Sequence, residues 1–294
     1  MSVHSGRNGS RRFEDARELV QEAARRIVGN VPAIRHLDSL MSRRGHWPFH
    51  PMAASLLHAA TPGWRPKPDC RLRLEGAYLD RVAWPGLNLA GAGLDGAELR
   101  EADLSAANLK LAHADRARFQ QANLQGATLT RWRAEGADLG RADLRWVTAD
   151  YVQFRRANLA GACLLDAHLW KADLREAKIE DANFRGANLE EARLSGLKLR
   201  LARFDGARFG GAELRKCDLE EMELAEADFH DAHLRGALLT GSRMPRANLP
   251  GADLRGAQIQ DVDFYLVDLR DARYTPDQAE HFRHCRAILD DRTA

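Results

Sequence analysis

The chain has 294 residues, 45% of them hydrophobic, and its 44 lysines and arginines nearly balance 42 acids for a formal net charge of +2. That length supports a sizeable core in one or two domains, while near-neutrality excludes a global electrostatic case for nucleic acid or an acidic partner. Cys70, Cys163, Cys217 and Cys285 are too scattered for a disulfide framework or a CxxC motif, so a reducing cytoplasm is the expected compartment.

Residues 1–12 are polar and rich in Gly, Ser and Arg, the composition of a disordered tail. They contain no apolar stretch of the kind a secretory signal needs. Elsewhere no apolar run approaches the ~20 residues that span a bilayer. Residues 13–70 read as a helical segment and linker. FEDARELVQEAARRIVGN places Phe13, Leu19, Val20, Ala23, Ile27 and Val28 at helical spacing, with Gly29-Asn30 as a stop. A second helix is expected from Pro32 to the glycine at 45, and a third over MAASLLHAA. TPGWRPKPDC (61–70) is a proline-rich linker. The first 70 residues carry 11 basic and 6 acidic side chains.

From about 71 to 275 the sequence has a period of five. Leu89, Leu94, Leu99, Leu104 and Leu109 begin a series that continues through Phe184, Leu189 and Leu194 to Phe264, Leu269 and Tyr274. Two places earlier runs Ala92, Ala97, Ala102, Ala107 and Ala112, on to Ala272. The unit is A-(D/N)-L-x-x. A helix would smear this pattern around its circumference, and a strand would send alternate leucines to opposite faces. A solenoid that turns every five residues directs every leucine and alanine to one axis. Glycine recurs two places after the leucine, where a corner needs unusual backbone angles.

Units such as GADLG, RADLR, RANLA, KADLR, GANLE and EADFH resemble the pentapeptide-repeat family, over about 200 of the 294 residues. The resemblance implies an all-β solenoid, a right-handed quadrilateral β-helix. Four units would form each 20-residue coil, with about ten coils rising ~4.8 Å apiece. A column read every 20 residues is segregated by charge: Glu75, Asp95, Asp115 and Glu135, then Arg155, Arg175, Ser195, Arg215, Arg235 and Arg255. Inside, Ala114 and Ala134 replace leucine one coil apart. Trp132 takes the alanine slot beside Ala134 and supplies the missing volume.

In RWVTADYVQF (145–154), Trp146 and Tyr151 occupy corners of one face, with Ala149 between them in the leucine slot. One coil later Leu165 and Trp170 stack beside them, and Arg131, Arg145, Arg155, Arg156 and Lys171 surround the group. An aromatic cluster with a cationic rim has the makeup of a partner-binding hot spot. The same aromatics folded over Ala149 would instead seal a packing gap; the two readings are compatible.

At the C-terminus (276–294), Thr275, Pro276 and Gln278 form a helix start with a capping box. Ala279, Phe282 and Leu289 can lie over the last coil, as a solenoid end requires. The resemblance also implies a second role, since C-terminal elements make the dimer in quinolone-resistance members. Cap and dimer both stay open, as does a homodimer through the aromatic face.

No phosphate-binding glycine loop and no GxSxG occur. His46 and His50, or His281, His284 and Cys285, lack a convincing set of further metal ligands. The expectation is a non-enzymatic protein–protein interaction scaffold with no cofactor, no metal and no membrane or direct nucleic-acid partner. The alternative that the resemblance implies is a DNA mimic. It would bind a type II topoisomerase such as DNA gyrase through the acids Glu75, Asp95, Asp115 and Glu135 or the 213–231 cluster, protecting the enzyme from inhibitors. Against it, residues 71–275 hold 30 basic and 32 acidic side chains, and the frame lacks the loop insertions of several quinolone-resistance members.

Overall fold

The computed structural model describes residues 7–42, 48–67 and 72–290, with side chains from residue 16 onward. Three helices precede the repeat: α1 (Arg7–Ile27), α2 (Val31–Met41) and α3 (His50–Ala60). α1 starts six residues before the expected Phe13 and runs into the stretch read as a tail. Adding residues to an existing helix costs little compared with nucleating one. The expected end of α2 near 45 falls partly outside the described residues; the helix stops at Met41. α1 and α2 both pack on α3, which buries Ala53, Ala54 and Leu57.

The linker joins these helices to the solenoid. Trp64 meets Trp84 edge-on with centroids 5.8 Å apart, and the Trp84 indole N–H donates to the Trp64 carbonyl at 2.9 Å. Arg17 of α1 reaches Asp80 at 3.1 Å, and His58 of α3 lies 2.7 Å from the Asp80 carbonyl.

In the repeat, residues five apart form parallel bridges with residues 20 positions on, in a ladder with few gaps that runs from Arg73 with Gly93 to Asp268 with Ile288. One circuit therefore takes 20 residues and holds four bridge positions. The hydrogen bonds follow the same step: Leu99 N–H donates to Arg118 O at 2.7 Å, and Glu98 N–H to Ala77 O at 2.9 Å. Residues ending in 2, 7, 4 or 9 are buried throughout, apart from Ala202 and the final Ala272 and Tyr274.

Two further positions of the unit have backbone roles. The Asp or Asn side chain accepts the N–H two residues on, as at Asn88, Asp103, Asn123 and Asp138, which turns the chain out of each bridge. Some also reach across coils: Asn123 Nδ2 donates to Asp103 at 3.1 Å and Asn158 Nδ2 to Asp138 at 2.8 Å. The residue two places after the leucine has φ between +53° and +80° at every position from 76 to 271 except Leu201. It is the third residue of a four-residue turn, closed for example by Ala77 N–H to Leu74 O at 3.0 Å.

Leu201 marks a fault. Residues 199–201 form a single 3₁₀ turn, and the bridges 178–198 and 203–223 are missing from the ladder. The five-residue frame runs through in sequence, but Leu197 stands in an alanine slot here. Leu87 fills the same slot with the bridges 83–103 and 88–108 intact, so a leucine there does not by itself break the ladder.

α4 (Pro276–His284) closes the far end. Thr275 and Gln278 form the reciprocal capping box. The Gln278 amide also donates to Leu254 O at 2.9 Å and Ala257 O at 3.0 Å, satisfying carbonyls of the last coil. Phe282 is fully buried against Phe264 and Tyr274. The chain then adds one more bridge, Ile288 to Asp268.

Candidate functional site

Trp146 and Tyr151 occupy the corner slot that glycine fills elsewhere, with φ of 57° and 58°. A side chain on such a corner points away from the coil, so both rings are displayed: Trp146 is 52% exposed and Tyr151 37%. Leu165 and Trp170, half-buried, lie one coil on. The structure brings the four residues together as two pairs. Trp146 N–H donates to Leu165 O at 3.0 Å, and Tyr151 N–H to Trp170 O at 2.8 Å.

Four cationic contacts surround the rings. Arg131 sits 5.4 Å from the Tyr151 centroid, Arg145 5.5 Å from Trp146, and Lys171 4.3 Å from Trp170 and 5.9 Å from Tyr151. Arg145 is anchored by Asp143, whose carboxyl its hydrogen bonds hold below the usual carboxylate range. Lys171 and the Trp170 indole N–H share Glu191, at 3.1 and 3.2 Å. Arg155 and Arg156 are both drawn to Glu176, one coil away.

Ala149 is fully buried, while Trp146 and Tyr151 keep about half and a third of their surfaces exposed. Val147 and Val152, in the alanine slots on either side, are themselves buried and supply the volume from within. Trp132 does the same a coil earlier. It is completely buried and meets Phe119 and Phe154 edge-on at 5.3 and 5.9 Å.

The pentapeptide-repeat family model matches this chain in eight overlapping copies between residues 73 and 271. The chain is a pentapeptide-repeat protein. No curated protein matches it. Among solved structures it is similar to HetL, a pentapeptide-repeat protein involved in heterocyst differentiation regulation from the cyanobacterium Nostoc sp. strain PCC 7120. That likeness has 25% identity, covers 75% of this chain and 86% of HetL, and has a TM-score of 0.40. It is also similar to a trypsin-treated form of QnrB1, a plasmid-mediated fluoroquinolone resistance protein, at 22% identity, with 72% and 94% coverage and a TM-score of 0.31. A pentapeptide-repeat protein of the Arabidopsis thaliana thylakoid lumen matches at 18% identity, with 57% and 81% coverage and a TM-score of 0.22.

Within this pentapeptide-repeat chain, the acidic column is stitched into its own surroundings. Asp95 accepts the Asp115 N–H at 2.8 Å, and Asp115 accepts the Glu135 N–H at 3.0 Å and pairs with Arg133. Glu75 pairs with Arg73 at 3.1 Å and Glu135 with Arg156 at 3.7 Å. Such a column alternates charge with neighbouring columns instead of presenting a uniform negative field.

A hollow of about 380 Å³ lies between α1, α3 and the first coil, beside Val20, Ala24, Ser55, His58, Tyr78 and Asp80. Its Ser55 hydroxyl donates to Pro51 O and accepts the Tyr78 N–H, while Asp80 is held by Arg17 and Arg100. Burial raises the Tyr78 phenol. Near the C-terminus Cys285 Sγ lies 3.6 Å from His281 Nε2. Among the described residues no group of three or more metal-ligating side chains forms, and no helix is long and apolar enough to cross a membrane. His46 lies outside the described residues.

The Asp/Asn backbone caps escaped the sequence reading, which treated D/N as part of the motif. The signal was there: a short side-chain acceptor directly before each buried leucine is the residue type that turns a chain.

Proposed function

We propose that this protein is a non-enzymatic interaction scaffold. Its solenoid is read as a right-handed quadrilateral β-helix of about ten coils, and it holds a protein partner through Trp146, Tyr151, Leu165 and Trp170. The observation that carries this reading is the display of two aromatic rings on the positive-φ corners of a regular solenoid, each under a cation. Rigid aromatic side chains lose little entropy on binding and bring large apolar area. Arg131, Arg145 and Lys171 add a rim that suits carboxylates or carbonyls on the partner. A cytoplasmic location and the absence of a cofactor belong to the same reading. The test is capture of partners by wild type and by the Trp146→Ala/Trp170→Ala variant. A partner retained equally by both would refute it.

A type II topoisomerase is the alternative partner, and the acidic column the surface that would meet it. The intramolecular pairing of Asp115 and Glu135 with arginines weighs against phosphate mimicry. A DNA gyrase supercoiling assay, with and without a quinolone, separates the readings. Inhibition or drug protection that disappears when Asp95, Asp115 and Glu135 are neutralised would favour the topoisomerase.

A further inference from the structure

The corner column that runs from Glu75 to Arg255 changes sign along the rod. Its acidic half lines a groove of about 550 Å³ with Asp95, Asp115 and Glu135. Its basic half lines a groove of about 340 Å³ with Arg215, Arg235, Arg255 and Arg273, which outnumber the two carboxylates there, Asp231 and the Asp253 bonded to Arg255. Both grooves lie on the same corner, because the 20-residue bridge step keeps these residues in one column. Arg235 and Arg273 of the basic groove are exposed and have no ion pair among the described residues. Arg215 has only His233, at 3.2 Å.

We propose that a second copy of this chain docks on this corner, antiparallel and side by side, about a two-fold axis at Arg175. A two-fold axis across two antiparallel rods brings each column against its own reversed copy. With the axis at Arg175, Asp95 faces the Arg255 of the other copy, Asp115 its Arg235, and Glu135 its Arg215. Arg155 faces Ser195. The three acids meet three arginines with no acid opposite an acid.

The neighbouring column obeys the same symmetry. Arg116 then faces Gly236, Arg156 faces Gly196, and Lys216 faces Gly136. Every cation before or after the centre meets a glycine and never another cation. At the axis, Arg175 faces Arg175 and Glu176 faces Glu176 of the other copy, two like-charge contacts that are offset within each copy by the Arg175–Asp173 pair and by the pairing of Glu176 with Arg155 and Arg156. The matched strip is roughly 38 Å long at the ~4.8 Å strand spacing, and equal rise in both copies keeps the charges in step. Extended peptides repeat side chains on one face every ~6.6 Å. The carboxylates already bonded within the chain keep further acceptor positions, since each offers about four lone-pair sites.

This surface is half a coil from Trp146 and Leu165 and a quarter coil from Tyr151 and Trp170, so the two surfaces occupy different corners of the coil and meet only at Arg155 and Arg156. Exposed ion pairs are individually weak and screened by salt. Sedimentation velocity and light scattering on the full chain, at about 0.02 M and about 0.5 M salt, read the association directly. The expected result is a dimer at low salt that dissociates at high salt. Arg215→Glu raises its dissociation constant at least tenfold, and Glu135→Arg/Arg215→Glu restores it. Circular dichroism of both variants confirms the solenoid. A chain that stays monomeric at low salt and high concentration overturns the proposal, as does a dimer indifferent to Arg215→Glu or one the double exchange does not recover. A dimer abolished by Trp170→Ala or by removing residues 276–294 overturns it too, placing the interface on the aromatic face or the C-terminal helix.

Discussion

The rings of Tyr151 and Trp170 meet edge-on with centroids 5.0 Å apart, one coil from each other, and Lys171 lies over both. This pair sits outside the core, on a backbone the bridges already hold. Trp170→Ala is therefore expected to cost only the aromatic contact, about 0.5–1.5 kcal/mol, while removing partner capture. Thermal denaturation checks the first half. A loss above about 3 kcal/mol would mark Trp170 as a packing residue, in the range of buried aromatic truncations.

The corners carry a measurable strain. Leu111 holds φ of 59° on an exposed corner, whereas Gly126 holds 65° with nothing within 4 Å of where a Cβ would stand. Left-handed backbone costs an L-residue about 1–2 kcal/mol, offset to some extent by the greater freedom glycine loses on folding. Gly126→Ala is expected to destabilise by about 1 kcal/mol through φ alone, and Leu111→Gly to stabilise by about 0.5 kcal/mol. Denaturant titration decides. No change in either would mean the corner angle is set by the bridges at no local cost.

Acid tests the Asp–Arg pairs. Hydrogen bonds from Arg255, at 2.8 and 2.7 Å, hold the Asp253 carboxyl at about 2, and Arg270 lowers Asp268 likewise. A carboxylate depressed in the folded state contributes stability that is fully present above its ordinary value of about 3.9. That contribution is lost as pH falls from there through the folded value. Asp253→Asn keeps the acceptor for the Arg255 N–H and removes only the charge. The variant is expected to be slightly less stable than wild type at pH 6, with the difference shrinking below about pH 4 and closing as pH falls through about 2. Equal melting curves at both pH values would show that solvent screening erases the pair.

Most of this architecture was legible because each repeat position has one physical job. Leucine and alanine slots, the glycine corner, the Thr275 cap and the Trp132 compensation all follow from volume, φ and hydrogen-bond capacity read residue by residue. The fault at Leu199–Leu201 was not, because the frame is intact in sequence and a leucine in the alanine slot, as at Leu197, is tolerated at Leu87 with the ladder unbroken. The display of Trp146 and Tyr151 was half legible. The corner slot predicted outward rings, but the filling of the Ala149 space by Val147 and Val152 depends on neighbours across the coil.

Gln278 is a second kind of closure. Its side chain serves the helix cap and two carbonyls of the last coil with only 7% of its surface exposed. Gln278→Ala strands the Ala257 carbonyl, since Leu254 O keeps the Ala257 N–H at 2.9 Å, and opens the box. Each unmet buried acceptor costs about 1–3 kcal/mol. The loss should appear first as faster amide exchange in the coil around 254–273, before any change near residue 100. Uniform exchange along the rod would mean that the solenoid melts as a single unit.

Trp132 separates packing from polarity. The fully buried indole packs edge-on against Phe119 and Phe154, in a stretch where Ala114 and Ala134 stand in leucine slots, but its N–H has no hydrogen-bond partner in the buried coil. An unmade buried hydrogen bond costs about 1–3 kcal/mol, and a large-to-small aromatic truncation about 3–5 kcal/mol. Trp132→Ala is expected to lose that larger amount. Adding Ala134→Leu should recover some of it by returning volume to the same layer. Trp132→Phe gives up some contact area but removes the orphan donor, so its stability should fall close to wild type. If Trp132→Phe proves as damaging as Trp132→Ala, the indole N–H has a partner after all, such as a trapped water. If Ala134→Leu fails to rescue, the two residues do not share one cavity.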